Sequence, residues 1–361
     1  MNGDVQNGRP VRVLVADDSA FMRTALTRMI ESDPALKVAA TAMNGNEALE
    51  KTASVQPDVI TLDIEMPGLN GLETLRRIMS DFPRPVIMVS SLTQQGAETT
   101  LEALDIGAFD CIPKQQSFAS LDIVKIRDDL VAKIKAAAEM SRGRKAKPRP
   151  MPLSRSQTRR ASDAHSVPAV VAIGTSTGGP KALQEILPML PADLPVGLLI
   201  VQHMPLGFTG PFARRLNGLC KIAVREAAEG DRISPGVAYI APAGQHATVA
   251  RQSPSALRIH VSSSPQGTLH VPSVDVTMLS VAESCRALSM GIIMTGMGAD
   301  GLEGMKAIAH EGGFTLGQDE ASCTVYGMPR SCAEAGVLQR VVPLAGIPEQ
   351  ILLATRYRQR P

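Results

Sequence analysis

Tryptophan is missing from this 361-residue chain, and aromatic side chains make up only 3% of it. Base-stacking platforms for single-stranded nucleic acid need repeated aromatic faces, so that class of function is excluded. No window approaches the roughly 18 consecutive apolar residues of a spanning helix, so no membrane insertion is expected. Met1 to Pro10 carry no apolar core, so no secretory leader is expected either. There is no CxxC. The cysteines, Cys111, Cys220, Cys285, Cys323 and Cys332, are scattered and odd in number. That pattern argues against a disulfide framework and a zinc site, and fits a reducing, cytoplasmic compartment. A dominant charge is lacking too: 37 Lys and Arg face 35 Asp and Glu, for a net +2. Taken whole, this disfavours a dedicated nucleic-acid binder.

The charge that is present is unevenly placed. Residues 141–165 hold eight basic residues (Arg142, Arg144, Lys145, Lys147, Arg149, Arg155, Arg159, Arg160) and one acid, Asp163, so the stretch is +7. Elsewhere 29 basic residues face 34 acidic ones, giving −5. Pro148, Pro150 and Pro152 fall in the same stretch. Such a composition cannot bury enough apolar surface to offset its ordering entropy. A basic flexible linker is therefore expected over 135–166, between one domain at 10–134 and another at 167–358. At about 150 residues per domain, the length agrees with two.

Both halves alternate strand and helix patterns, which predicts α/β domains with doubly wound parallel sheets. In the first half the strands read VRVLVA (11–16), KVAATA, VITLD and PVIMVS (85–90), with helical patterns over 20–31 and 45–54. In the second they read VPAVVAIG (167–174), VGLLIVQH (196–203) and MGIIMTG (290–296), with helical patterns around 180–190 and 301–311. Continuous apolar runs suit strands covered on both faces. Residues 222–274 are punctuated by Gly and Pro and predict hairpins or excursions. Ligands of such sheets bind outside the carboxyl ends of the strands, so the residues there matter most.

In the first half, Asp17 and Asp18 follow the first strand, Asp63 the third, Ser90 ends the fourth, and Lys114 follows a short apolar segment. Clustered carboxylates repel, and a hard cation such as Mg²⁺ relieves the repulsion. One carboxylate can then act as nucleophile on a phosphoryl group. Lys114 would neutralise phosphoryl oxygens, and the Ser90 hydroxyl could be drawn toward the new group. The competing reading is that Asp17 and Asp18 merely cap the first helix. This half resembles the response-regulator receiver domain, a flavodoxin-like fold. The resemblance implies that Asp63 in TLDIEMPG accepts a phosphoryl group from a histidine kinase. It also implies that Asp17, Asp18, Asp63 and the Glu65 backbone carbonyl hold Mg²⁺, with Ser90 and Lys114 as phospho-switch residues. Cys111 and Gln115 depart from the family pattern, which has an aromatic and a proline there.

In the second half, Gly174-Thr175-Ser176-Thr177-Gly178 fits G-x-S-x-G, a pattern that presents a serine on a sharp strand-to-helix turn. The competing reading is a glycine turn with Ser176 as helix N-cap. No Gly-Lys-Ser/Thr follows, which excludes a Walker loop. His203 ends VGLLIVQH, whereas His260, His270 and His310 are not at strand ends and His165 lies in the linker. Asp300 lies in GMGADG after MGIIMT. That glycine run also matches the dinucleotide fingerprint, although a charged Asp300 would approach the pyrophosphate. The reading that joins all three is a triad: Ser176 as nucleophile, His203 as base, Asp300 to orient and stabilise the imidazolium. Thr177 and Met297 N–H groups are candidate oxyanion donors.

The motifs IGTSTGGP, VQHMPLGFT, AYIAPAGQH, PSVDV, MTGMGADG and EASCTVYGMP together resemble the CheB family of chemotaxis protein-glutamate methylesterases. The resemblance implies a Rossmann-like catalytic domain whose Ser176, His203 and Asp300 hydrolyse glutamate γ-methyl esters and deamidate glutamines on chemoreceptors. It implies no cofactor in that domain, a histidine kinase as phosphoryl donor, and activation by phosphorylation. A monomer is expected. Val271 departs from the family's frequent arginine, and Cys323 is read as core packing. Two rival classes remain at this point: a receiver joined to a nucleotide-binding oxidoreductase, which NAD titration would test, and a transcription factor, which lacks a recognition-helix module.

Overall fold

A computed structural model describes residues 9–91, 93–114, 122–143, 167–253 and 256–358. They fall into two compact units on either side of Lys147.

The first unit alternates β1 (Val11–Ala16), α1 (Ala20–Ile30), β2 (Leu36–Ala42), α2 (Gly45–Val55), β3 (Val59–Asp63), α3 (Gly71–Asp81), β4 (Val86–Ser90), α4 (Gln94–Ile106), β5 (Asp110–Pro113) and α5 (Asp122–Gly143). The strands form a five-stranded sheet in the order β2-β1-β3-β4-β5, parallel throughout. Every residue of β3 and β4 is buried, the polar Thr61, Asp63 and Ser90 included, as in strands covered on both faces. The capping chemistry is local: Asn70 and Glu73 make a reciprocal capping box on α3. Ser19, not Asp17 or Asp18, caps α1 by accepting from the Met22 N–H. The two aspartates are thereby released from the capping reading.

One expected boundary is corrected. Residues 135–143, expected in the linker, are the last turns of α5. The cause is an apolar stripe at helical spacing, with Leu130, Ile134, Ala137 and Ala138 all buried. The rest of the expected linker, and Gln115, lie outside the described residues.

The second unit runs β6 (Val170–Thr175), α6 (Gly179–Ile186), β7 (Gly197–Gln202), α7 (Thr209–Leu219), β8 (Ala223–Glu226), β9 (Val237–Ile240), β10 (His246–Ser253), β11 (Ala256–Ser262), α8 (Val274–Cys285), β12 (Ser289–Ile293), α9 (Leu302–His310), β13 (Phe314–Gln318), α10 (Met328–Glu334), β14 (Arg340–Val342) and α11 (Ile347–Ala354). Seven strands form a parallel sheet in the order β14-β13-β12-β6-β7-β9-β8. Chain order reverses at β6, so the crevice between β6 and β12 is the topological switch point, where open α/β sheets bind ligands. The core packs α8, α9 and α10 over β6, β7 and β12 through Val274, Met278, Val281, Met305 and Met328. The 222–274 excursion is only partly one. β10 and β11 make an antiparallel hairpin, but β8 and β9 join the main sheet as parallel strands. No described helix is long and apolar enough to cross a membrane.

Candidate functional site

Three elements converge on the carboxyl edge of the second sheet. Ser176 follows β6, His203 follows β7, and Asp300 stands on the glycine loop between β12 and α9. His203 Nε2 lies 2.8 Å from Asp300 Oδ2, both side chains at most about a tenth exposed. The Asp300 carboxylate is seated by the start of α8: Ser273 Oγ donates to Oδ1 at 2.9 Å, and the Val274 and Asp275 N–H groups donate at 2.8 and 3.0 Å. Burial alone would push this carboxyl up. The His203 hydrogen bond, reinforced by the α8 amides, outweighs burial and holds it well below the usual carboxylate range.

An ionised carboxylate only accepts, so Nε2 carries the proton. The other ring nitrogen, Nδ1, then has a bare lone pair. It is buried, with no hydrogen-bond partner among the described residues. An imidazole with one nitrogen anchored and the other unpaired can take a proton there. The ring meets its aspartate in the opposite sense to the familiar Ser-His-Asp triad, where Nδ1 does so.

Ser176 is not the α6 N-cap. That position is Gly178, in the left-handed region at φ +79°, with no side-chain cap. The turn's left-handed residue is thus a glycine two positions beyond the serine, and Ser176 itself is not among the described residues with positive φ. The sheet edge is held by contacts absent from the motif. Gln202, buried at the end of β7, donates through Nε2 to the Ser176 carbonyl at 3.0 Å and the His203 carbonyl at 2.9 Å. The glycine loop presses directly on the serine: a Cβ at Gly296 would lie 2.9 Å from Ser176 Cβ and 2.3 Å from Met328 Sδ. Met297 therefore follows the residue packed against Ser176, and Thr177 follows Ser176 itself, with its carbonyl held by Thr295 Oγ1 at 2.9 Å.

The dinucleotide reading has its strand and helix, but not its anion site. Asp275 Oδ1 accepts the Gly304 N–H at 2.8 Å, in the first turn of α9 where a pyrophosphate would sit. Asp300 is turned to His203. Of the histidines passed over in the sequence, His270 stacks on His203, with ring centroids 4.0 Å apart and planes 16° apart. No sequence signal marked it, because it comes from a loop. Gln202 and Ser273 were missed too, although a polar residue closing an apolar strand, as Gln202 does, is a usable signal. Cys323 is half-buried, and burial pushes its thiol up to about 12, so it is no nucleophile.

The first unit gathers the acidic residues at its own sheet edge. Carboxylate oxygens of Asp17, Asp18 and Asp63 lie within 4.8 Å of one another. Lys114 Nζ pairs with Asp63 Oδ2 at 2.6 Å and Asp17 Oδ2 at 3.1 Å. Burial pushes the Asp63 carboxyl up to about 6; Lys114 opposes and Asp17 adds to the shift. Both Oδ2 atoms are buried, and Lys114 Nζ faces the two of them. Three carboxylates within reach of one ion, with a single lysine to offset them, make an all-oxygen set that fits a hard divalent cation. The Glu65 N–H donates to Asp63 Oδ1 at 3.2 Å. Ser90 is buried, its hydroxyl directed to the Gly96 carbonyl at 3.2 Å and bonded by Thr100 Oγ1 at 2.8 Å. Cys111, where an aromatic was noted as the family habit, is buried in β5.

Comparison with known proteins agrees with both halves. The response regulator receiver domain profile matches residues 13–124, and the CheB methylesterase profile matches residues 171–351. A protein-glutamate methylesterase/protein-glutamine glutaminase of Oleidesulfovibrio alaskensis is 48% identical, over 95% of this chain and 99% of that one. One from Pyrococcus horikoshii is 45% identical, over 96% and 94%. The chain belongs to the CheB methylesterase family. The crystal structure of the Thermotoga maritima CheB methylesterase catalytic domain covers 52% of this chain and 98% of its own, at 36% identity and a TM-score of 0.50. As a CheB-family chain it is an ester hydrolase joined to a receiver domain.

Proposed function

We propose that the second unit hydrolyses glutamate γ-methyl esters, and deamidates glutamines, on chemoreceptors by acyl transfer through Ser176, His203 and Asp300. The observation that carries this reading is His203, anchored to a buried carboxylate through Nε2 and bare at Nδ1. Ser176 Oγ attacks the carbonyl carbon while Nδ1 takes its proton. The oxyanion is stabilised by N–H groups of the two loops that meet at the serine, with Thr177 and Met297 as the donors. The imidazolium, stabilised by Asp300, returns the proton to methoxide or to the amide nitrogen, so methanol or ammonia leaves. Water then repeats the attack on the acyl-enzyme and frees Ser176.

The first unit serves as the switch. Asp63 accepts a phosphoryl group from a histidine kinase. Asp17, Asp18, Asp63 and the Glu65 carbonyl would hold Mg²⁺, which, when bound, neutralises charge on phosphoryl oxygens. Lys114 pairs with the same oxygens, and Ser90 leaves Gly96 and Thr100 for the new acceptor. Phosphorylation then relieves restraint on the esterase.

The test is methanol release from methyl-labelled receptor membranes. Ser176→Ala is expected to lower kcat by more than about 10³-fold, in the range seen when a triad nucleophile is removed. Equal release by variant and wild type overturns the triad.

A further inference from the structure

The three strand ends leave one feature of the site unexplained: the loop between β11 and α8 lays an imidazole flat on the base. His270 and His203 are stacked at 4.0 Å with only 16° between their planes. That loop is fastened on both sides of His270. His246, fully buried at the start of β10, meets the Pro265 carbonyl at 3.2 Å and the Thr268 hydroxyl at 3.3 Å through Nε2. Its Nδ1 accepts the Ser273 N–H at 3.1 Å. The Gly244 N–H reaches the Val271 carbonyl at 3.0 Å. Ser273 then donates to Asp300. One loop therefore seats both the carboxylate and the stacked ring.

A single hydrogen bond at Nε2 fixes one end of the His203 ring. It does not fix the ring plane, because the imidazole can still turn about its Cβ–Cγ bond. The plane decides where the Nδ1 lone pair points. A flat face held at 16° removes that freedom and covers the ring against water. We infer that His270 is a positioning residue that fixes the plane of the His203 imidazole, so that Nδ1 is presented to the Ser176 hydroxyl. Its nitrogens are not needed for this role; its flat shape is. The inference rests on the esterase reading above for its kinetic consequence, and on ring geometry alone for its spectroscopic one.

The full chain is compared as wild type, Ser176→Ala, His270→Ala and His270→Phe, by methanol release from methyl-labelled receptor membranes and by NMR of the His203 Nε2–H proton, which a bond to carboxylate shifts downfield. His270→Ala is expected to lower kcat about tenfold with KM nearly unchanged, as a misplaced base does. Its Nε2–H signal should broaden. His270→Phe, which keeps a flat ring, should retain about half the kcat or more and a sharp signal. Should His270→Ala fail to fold, His270→Leu, which fills the space without a flat face, is read on the same terms. Wild-type kcat with a sharp signal in the alanine or leucine variant overturns the inference. So does a phenylalanine variant as slow as the alanine one, or a loss confined to KM, which would make His270 a substrate contact. Equal release by wild type and Ser176→Ala defeats the esterase reading instead, and the NMR comparison still decides the role of His270.

Discussion

Asp300 accepts from one imidazole, one hydroxyl and two amides, and each donor fixes a different part of the site. An isosteric change shows what the charge contributes. In Asp300→Asn the amide oxygen can still accept from the start of α8, but the NH₂ group then faces His203 Nε2. That nitrogen must become an acceptor, so the proton moves to Nδ1 and the base is lost. The expected outcome is a kcat lower by about 10⁴-fold, as in other triads with the wrong tautomer, in a protein that still folds. A loss under about tenfold would contradict the tautomer assignment. The residues proposed for this chemistry were legible as candidates because each stands as a polar break after an apolar run, and a parallel sheet brings such breaks to one edge. Ser273 and His270 were not legible. Their place depends on where a long connection returns, which no local pattern of hydrophobicity encodes.

At the scale of elements, the hairpin and the loop that follows it hold the site from the side. Their anchor is His246, the first residue of β10 and fully buried. Burial is the largest influence on this ring and lowers its basicity; the Pro265 carbonyl and the nearby Asp300 oppose it without prevailing. The neutral form is also required by geometry, because Nδ1 accepts the Ser273 N–H. The unfolded chain then binds a proton more readily than the folded one below the ordinary value of 6.5. Stability of the second unit is therefore expected to be fully present above pH 6.5 and to fall as the pH drops below it. All three tyrosines (Tyr239, Tyr326, Tyr357) lie in this unit and the chain has no tryptophan, so tyrosine fluorescence reports its unfolding alone. Urea midpoints between pH 8 and 5 should decline in wild type, and His246→Asn should flatten the decline. Parallel declines in both would remove His246 from the account. The hairpin was anticipated only as an excursion, and β8 and β9 escaped as sheet strands. β8 is short and mostly exposed, so an edge strand of this kind carries little of the apolar signal that marked β6, β7 and β12.

For the whole molecule, the uneven charge of the sequence marks the division into two units, since a basic, proline-rich stretch cannot join either core. Composition placed the start of that stretch too early, because Ile134, Ala137 and Ala138 continue the buried face of α5, which runs to Gly143. Under the proposed function, the first unit regulates the esterase by restraining it until Asp63 is phosphorylated. Phosphorylation of Asp63 would add close to two negative charges, enough to bias a two-state element. Couplings of this kind shift an equilibrium between two states by about 5- to 150-fold. A fragment beginning at residue 144 retains the whole described second unit and is expected to release methanol faster than the unphosphorylated full chain by a factor in that range. Full chain treated with a small-molecule phosphodonor and Mg²⁺ should approach the fragment, and Asp63→Asn should not respond. A fragment no faster than the unphosphorylated chain would show that the receiver imposes no restraint, and a responsive Asp63→Asn would move the phosphoryl acceptor elsewhere.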